Sequence, residues 1–394
     1  MNLKNKNVLF VSAYAANYGG NFILSLESLA DLLGKEYDCN VNFLFPSQEE
    51  KQWIDELKKK YKVSFIKSCY KSSEKEIEHF INEWNIDLVH THFDAYDIPV
   101  AKAIEHSNRN VKMVWHQHNH LYLYMDITKE KFKFLRKLKR NFCYWLQYGY
   151  YGKNAYFIPV SYEVGNFVCH YRNHFFTFPK ENLSIEEYEN IPLSRATMVP
   201  NGISLDRIRK DIFSPFSRAV PRFLSFGGET FYKGIACICD AADILWGRGY
   251  RFEVAITKGG NTKNFLDDKY GHSYPKWCKL IEQSNNISDI FMGCDAYISA
   301  SYREGCSYAV AEATIYGLPM IQSDIPGTAF NAKNPSVLLF KRGDAIDLAN
   351  RMEFMLNMDK DDLREKCMIS SENIRRQMSM TNWCNSLLDI YKNL

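Results

Sequence analysis

The stretch Ser299–Thr328, SASYREGCSYAVAEATIYGLPMIQSDIPGT, decides the reading of this chain. It opens on the end of a short apolar run, Ala296–Ala300, with the composition of a buried strand. A loop then carries Glu304 and Gly305, a helix is predicted from Cys306 to Tyr316, and Gly317 stops it. Leu318 and Pro319 lead into a second strand, Met320–Ser323. Strand, loop, helix, glycine stop and strand make one βαβ unit of a parallel sheet.

Chemistry is expected at the loop-to-helix junction. The first turn of a helix has free backbone N–H groups and a partial positive charge, which attract a phosphate. Gly305 lets the backbone approach a ligand closely. Glu304 lies just before the helix and Glu312 inside it, eight residues on. Carboxylates repel phosphate but accept hydrogen bonds from hydroxyls. An anion site flanked by two hydroxyl acceptors describes a pocket for a sugar nucleotide.

With Glu304-Gly305 before the helix, Glu312-Ala313 inside it, Gly317-Leu318-Pro319 at its end and Pro326-Gly327 beyond the next strand, the stretch resembles the Glu-x7-Glu signature of the retaining glycosyltransferases of family 4. That family has the GT-B fold. The resemblance implies an α/β chain of two doubly wound Rossmann-like domains facing across a cleft, with a C-terminal helix crossing back to the N-terminal domain. It implies that Glu304 contacts the donor-sugar hydroxyls and Glu312 the nucleotide ribose. Arg303, Gly305, Cys306 and Ser307 complete the expected donor-binding set at this junction. Many relatives carry an aromatic and a small residue after Glu-Gly, where this chain has Cys306 and Ser307. A helix N-terminus lowers a thiol pKa, but the sequence places no base beside Cys306, so it is not read as a nucleophile.

Length and composition bound the alternatives. At 394 residues the chain is long enough for two domains with full cores. The net charge of +3 is too small to imply nucleic acid, and 46% hydrophobic with 24% charged residues is a globular balance. The 11 cysteines show no CxxC and no metal spacing, Cys237 and Cys239 being one residue apart on a predicted helix, and read as reduced thiols. The apolar run in the N-terminal segment MNLKNKNVLFVSAY is very short, so it reads as a first strand and not a signal peptide. No run of about 18 apolar residues is present to span a membrane. A cytoplasmic protein is expected, with peripheral attachment to the inner face of the plasma membrane as an option.

In the first 200 residues, strands at Val8–Val11, Val41–Phe45, Val63–Ile66, Ile86–His90, Val111–Trp115 and Tyr156–Val160 alternate with predicted helices at Asn21–Gly34, Gln48–Lys60, Ser73–Trp84 and Ala95–Ser107, and Ser161 begins another. Such alternation gives a parallel sheet covered on both faces, with ligands bound beyond the carboxyl ends of its strands. Gly19 and Gly20 follow the first strand without a GxGxxG fingerprint. In family 4 the matching loop lies under the donor diphosphate, the alternative being a plain tight turn. His90 and His92 follow one strand, and His116, His118 and His120 follow another. Two-residue spacing on an extended segment can chelate a metal, but no acidic or Cys partner lies nearby in sequence, so no metal is expected. His116 and His118 are the candidates for a catalytic contact with sugar or acceptor, as the resemblance implies; strand-end packing is the alternative.

Lys129–Leu146 is a basic amphipathic helix in prospect. Phe132, Leu135, Leu138, Phe142 and Trp145 form one apolar stripe, flanked by Lys131, Lys133, Arg136, Lys137, Lys139 and Arg140. Two readings stand: docking on an anionic membrane surface, or a stripe packed on the core with its charges in water. Residues 170–192 lack periodicity and read as an irregular connection. Asn201-Gly202 is a strong turn signal, and the hinge is expected near it. The expected domains are therefore 1–200, which binds acceptor, 201–378, which binds the nucleotide sugar, and 379–394, the returning helix.

The second domain opens with a strand at Arg222–Phe226, a glycine loop at Gly227-Gly228, then Lys233-Gly234 and a helix, a phosphate-binding layout. Lys233 would neutralise diphosphate oxygens as a point charge. The family usually has an Arg after the first glycine of this loop; here Gly228 and Glu229 stand there, which leaves Lys233 to work with another cation such as Arg303. Strands at Phe252–Thr257 and Ser336–Phe340, and helices at Ile287–Gly293, Asp344–Leu356, Asp361–Met378 and Trp383–Tyr391, complete the domain and the return.

The resemblance implies a retaining, metal-independent glycosyltransferase without a cofactor. It would move a sugar from a nucleotide-diphosphate sugar to a glycan or lipid-linked acceptor in surface polysaccharide biosynthesis. The alternatives are a non-catalytic GT-B subunit of a glycosyltransferase complex, motivated by the missing Arg, and a sugar-nucleotide epimerase.

Overall fold

The computed structural model describes all residues except 119–132, 175, 178, 181–182, 184, 206–207, 209–215, 217, 229, 272 and 285, and the backbone alone of 133–137 and 185. The start of the predicted helix Lys129–Leu146, His120 and Glu229 therefore lie outside the described residues. The chain forms two compact units, Met1–Gly202 with Met380–Leu394, and Ile203–Ser379.

The first unit holds strands β1 (Asn7–Ser12), β2 (Asn40–Pro46), β3 (Lys62–Ile66), β4 (Leu88–His92), β5 (Lys112–Gln117) and β6 (Tyr156–Pro159). Its helices are α1 (Gly20–Tyr37), α2 (Gln52–Lys58), α3 (Glu74–Glu83), α4 (Asp97–His106), α5 (Lys133–Tyr144), α6 (Tyr162–Asn173) and α7 (Ile185–Glu189). The sheet is parallel, in the order β3-β2-β1-β4-β5-β6. This is the doubly wound order, reversing between β1 and β4. Val8, Phe10, Phe43, Leu88 and Val114 supply one apolar face, covered by Leu26, Leu29 and Leu33 of α1.

The second unit repeats the plan with β7 (Arg222–Ser225), β8 (Glu253–Thr257), β9 (Cys278–Ile281), β10 (Ala296–Ser299), β11 (Met320–Ser323) and β12 (Val337–Phe340), in the parallel order β12-β11-β10-β7-β8-β9. Its helices are α8 (Thr230–Lys233), α9 (Ile235–Gly247), α10 (Thr262–Tyr270), α11 (Ile287–Met292), α12 (Tyr308–Tyr316), α13 (Ala329–Ala332), α14 (Ala345–Leu356) and α15 (Lys360–Gln377). Here the order reverses between β7 and β10. The last helix, α16 (Met380–Lys392), returns to the first unit, where Trp383, Leu387, Leu388 and Tyr391 join its core. Both sheets are thus the Rossmann-like layers the sequence pattern predicts, and the C-terminal helix crosses back.

Several boundaries differ from expectation. The strand expected at Ile86–His90 runs instead from Leu88 to His92, and β5 includes His116, so His92 and His116 extend the strands, and of His90, His92, His116 and His118 only His118 follows one. Hydropathy ends a strand at its last aliphatic residue, whereas a neutral imidazole is apolar enough to continue a buried one. The edge strand β9 has only four residues and no flanking glycine, and was not expected. Helix α7 lies within the segment read as irregular. In α5, Arg140 and Asn141 are buried while Phe142 is 45% exposed, so the helix turns a polar pair inward where Arg140 was expected in the charged flank. Asn141 is satisfied there: its amide donates to the Thr177 carbonyl at 3.1 Å and its oxygen accepts from the Tyr171 hydroxyl at 2.7 Å. Among the described residues no helix is long and apolar enough to cross a membrane.

The tightest joint in the second unit is between α9 and β10. Gly234, the N-cap of α9, has φ +64°, and a Cβ placed on it would lie 2.0 Å from the Ala300 carbonyl oxygen. Gly247, exposed at the end of α9, has nothing within 4 Å of such an atom. Gly234→Ala should therefore cost on the order of 3 kcal/mol in urea unfolding, and Gly247→Ala should change stability by less than about 1 kcal/mol, in the stabilising direction.

Candidate active site

The point where a doubly wound sheet reverses leaves a crevice beyond its carboxyl ends. In the second unit that point lies between β7 and β10, so the loop 226–234 after β7 and the loop 300–307 after β10 meet there. Three backbone donors of the first loop are tied to neighbouring segments. The Gly227 N–H donates to Thr257 Oγ1 at 2.8 Å, the Gly228 N–H to Thr262 Oγ1 at 3.0 Å, and the Thr230 N–H to Asn261 Oδ1 at 2.9 Å. The amides of Gly227 and Gly228 are thus committed inside the domain. The side chain of Lys233, at the end of the loop, is what this segment offers a ligand.

Lys233 Nζ donates to Glu304 Oε1 at 2.6 Å, and the Ser301 hydroxyl donates to the same oxygen at 2.8 Å. Both bonds end on Oε1, leaving Oε2 as the oxygen to accept a further hydroxyl. Backbone packing fixes the position of Glu304: a Cβ on Gly327 would lie 2.0 Å from the Glu304 carbonyl oxygen, so the Pro326-Gly327 turn sits directly against it. Ser307 holds the N-cap position of α12 without a side-chain capping bond, and the helix begins at Tyr308, two residues later than expected. Glu312 is 3% exposed within α12. The two acids lie around one phenol. Tyr297 of β10 is pushed well above its ordinary pKa by burial, then by the charge of Glu304, and further by that of Glu312, while its hydrogen bond with the Phe226 backbone works the other way. Arg303 and Gly305 are half-buried beside Glu304, and Cys306 is buried. The exposed Phe231 ring stacks on Tyr302 at 5.5 Å, an aromatic wall on the same pair of loops.

Ser301, Tyr297, Thr257 and Thr262 were not singled out from sequence. Ser301 carried a local signal, since it lies three residues before Glu304 in the stretch that decides the fold. The threonines carried none, because they act only through the neighbouring strand.

In the first unit Gly19 is the N-cap of α1 and Gly20, at φ +57°, its first residue, at the end of the loop that follows β1. His116 is fully buried, and His118 is 8% exposed where β5 ends. The parallel register pairs His92 with His116, so His90, His92, His116 and His118 crowd one face of β4 and β5. The His116 and His118 rings stack at 4.2 Å, and His92 Nδ1 lies 3.0 Å from His118 Nε2. One ring nitrogen each from His90, His92 and His116 lies within 4.8 Å of the others, a set able to hold a metal ion. Sequence spacing weighed only partners nearby in the chain; the register supplies the third imidazole from another strand. On the opposite face Asp97 is fully buried, accepting from Thr91 Oγ1 at 2.6 Å and Gln117 Nε2 at 2.7 Å, and burial raises its pKa well above the carboxylate range.

Residues 209–377 match the family model described as glycosyl transferases group 1, so the second unit is a glycosyltransferase domain. No curated protein matches the sequence. Among solved structures, a glycosyltransferase from Rickettsia africae is similar at 17% identity and TM-score 0.71, covering 99% of this chain and 98% of its own. Sucrose-phosphate synthase from Thermosynechococcus elongatus is similar at 13% identity and TM-score 0.71, covering 99% of both chains. Anabaena HepE in complex with UDP and glucose is similar at 12% identity and TM-score 0.69, covering 98% of this chain and 99% of its own. At these identities the likeness is one of fold, and it is the GT-B fold.

Burial holds all four histidines neutral, and it lowers His118 to about 4 although the hydrogen-bonded Asn201 side chain works the other way. The unfolded chain binds these protons near pH 6.5 and the folded chain does not. Stability from the cluster is thus full above about pH 6.5 and is lost as pH falls towards the folded values, by up to about 1.4 kcal/mol per pH unit for each imidazole. Unfolding midpoints of chelator-treated protein across this range should show the loss, and His116→Phe should reduce the slope by about one proton.

Proposed function

We propose that the chain is a retaining, metal-independent glycosyltransferase that moves a sugar from a nucleotide-diphosphate sugar to a glycan or lipid-linked acceptor. The observation that carries this is Glu304, held by Lys233 and Ser301 at the reversal point of the second sheet, with Glu312 buried in the helix that follows. In this reading the donor diphosphate takes over the Lys233 ammonium, and the donor-sugar hydroxyls donate to the Glu304 carboxylate in its place. Glu312 accepts from the ribose. Arg303 adds a second cation beside the site. The acceptor hydroxyl attacks on the face from which the diphosphate leaves, and the departing phosphate oxygen takes its proton, so no protein nucleophile is needed. Lys233 balances the leaving charge, which removes the need for a metal. Gly19, Gly20 and His118 belong to the first unit's contribution.

UDP and UDP-glucose are bound by the HepE structures, and a lipopolysaccharide outer core galactosyltransferase, WaaB, shares the fold at 16% identity and TM-score 0.67. These support a uridine nucleotide as the first donor to try and surface polysaccharide biosynthesis, inside the cell, as the setting. Helix α5 supports peripheral attachment, since Lys139 is exposed and Phe142, also exposed, lies against Trp145 with ring centroids 6.1 Å apart.

Thermal unfolding with a panel of nucleotide sugars tests the donor. One nucleotide family should stabilise the protein by about 2.7 kcal/mol at 100-fold excess over its Kd. Glu312→Ala should lose the shift, and Glu304→Ala should stay folded with turnover reduced by roughly 100-fold or more. No shift with any nucleotide would favour a non-catalytic binding subunit, and donor conversion without acceptor an epimerase. Sedimentation with anionic vesicles tests the membrane contact: Lys139→Glu should weaken it at least about fivefold, and salt should do the same.

A further inference from the structure

The imidazole cluster of the first unit has a property that core packing does not account for. Buried polar atoms in folded proteins almost always find a partner. Here His90 Nε2, His92 Nε2 and both ring nitrogens of His116 are buried without one. The nitrogens that do have partners are informative. His90 Nδ1 is hydrogen-bonded to the Tyr391 hydroxyl, and His92 Nδ1 to His118 Nε2. With each Nδ1–H donating, both Nε2 atoms carry a lone pair. Metal-ligating histidines show this pattern, one nitrogen anchored by a hydrogen bond and the other left to bind.

We propose that His90, His92 and His116 form a binding site for a single transition-metal ion of the zinc class, with Tyr391 and His118 orienting two of the ligands. The ligand type fixes the class of ion. Neutral imidazoles suit zinc, copper, nickel and iron, whereas calcium and magnesium take oxygen ligands. An ion about 2.1 Å from each nitrogen sets tetrahedral ligands roughly 3.4 Å apart, so nitrogens now within 4.8 Å draw in by at most about 1.4 Å. Rotation of the imidazoles about their Cβ–Cγ bonds supplies such a movement. The site joins β4 to β5 and, through Tyr391, ties α16 to both. It is structural in character, and its three ligands and both anchors belong to the first unit, whereas Glu304 and Lys233 belong to the second, so the proposal does not rest on the transfer reaction.

Cobalt(II) is the probe, because its visible spectrum reports ligand type and geometry. Full-length protein treated with chelator and then titrated with cobalt should bind one ion per chain, show the bands of a tetrahedral nitrogen site, lack thiolate-to-cobalt charge transfer, and unfold at a higher temperature. Zinc should displace the cobalt. His116→Phe keeps a planar ring in the stack and should lower cobalt affinity roughly 100-fold or more, with near-ultraviolet circular dichroism confirming the fold. Tyr391→Phe retains all three ligands and should lower affinity about 10- to 100-fold through the lost anchor on His90. Absence of stoichiometric cobalt, a thiolate charge-transfer band from the cysteines, or unchanged affinity in folded His116→Phe overturns the proposal.

Discussion

Backbone touching backbone is the constraint on which the second unit depends. At Gly234 and again at Gly327 the chain passes so close to a neighbouring carbonyl that no side chain fits between. The first contact sets α9 against the end of β10, and the second sets the Pro326-Gly327 turn against Glu304. Lys233 immediately precedes one of these glycines, so its stem leaves the backbone at a fixed place. The ion pair between Lys233 and Glu304 is a consequence of those two contacts. Side chains that are 34% and 16% exposed would gain little from their attraction alone. What matters is that the main chain presents opposite charges at one reversal point before any ligand arrives.

The two units treat ionisable groups in opposite ways. In the second unit, Lys233 and Glu304 form an ion pair in a partly exposed site. In the first, the sheet interior strips groups of charge. Alternation along β4 and β5 sends His90, His92, His116 and His118 to one face and Thr91 and Gln117 to the other, where they hold Asp97. Burial lowers the imidazoles and raises the carboxyl, and both shifts favour neutral forms.

Much of this was legible in the chain because periodicity and punctuation are local. Alternating apolar runs and amphipathic segments identified two parallel sheets, and the Glu304 stretch and Lys233-Gly234 marked the two loops that meet where the second sheet reverses. What stayed hidden depended on register. Nothing within a few residues of Thr257 or Thr262 shows that they take the amides of Gly227 and Gly228. Two separate His-x-His pairs become one cluster only when His92 is set opposite His116. Strand β9 escaped notice because four residues at a sheet edge carry too little pattern to register. In α5 the apolar stripe was visible, but the partners that bring Arg140 and Asn141 inward lie on other segments.

The return of α16 has a consequence for how the protein is made. Trp383, Leu387 and Tyr391 sit in the core of the first unit, and Tyr391 closes over His90. On the ribosome these residues emerge only after all of the intervening unit, Ile203–Ser379, has been synthesised. Domains otherwise tend to fold in the order of their appearance. Here the half that is translated first must wait, with an apolar face and its imidazoles uncovered, while the second half can finish on its own. The nascent chain is therefore most exposed to chaperones and to misassembly through its N-terminal half, until residues 380–394 arrive.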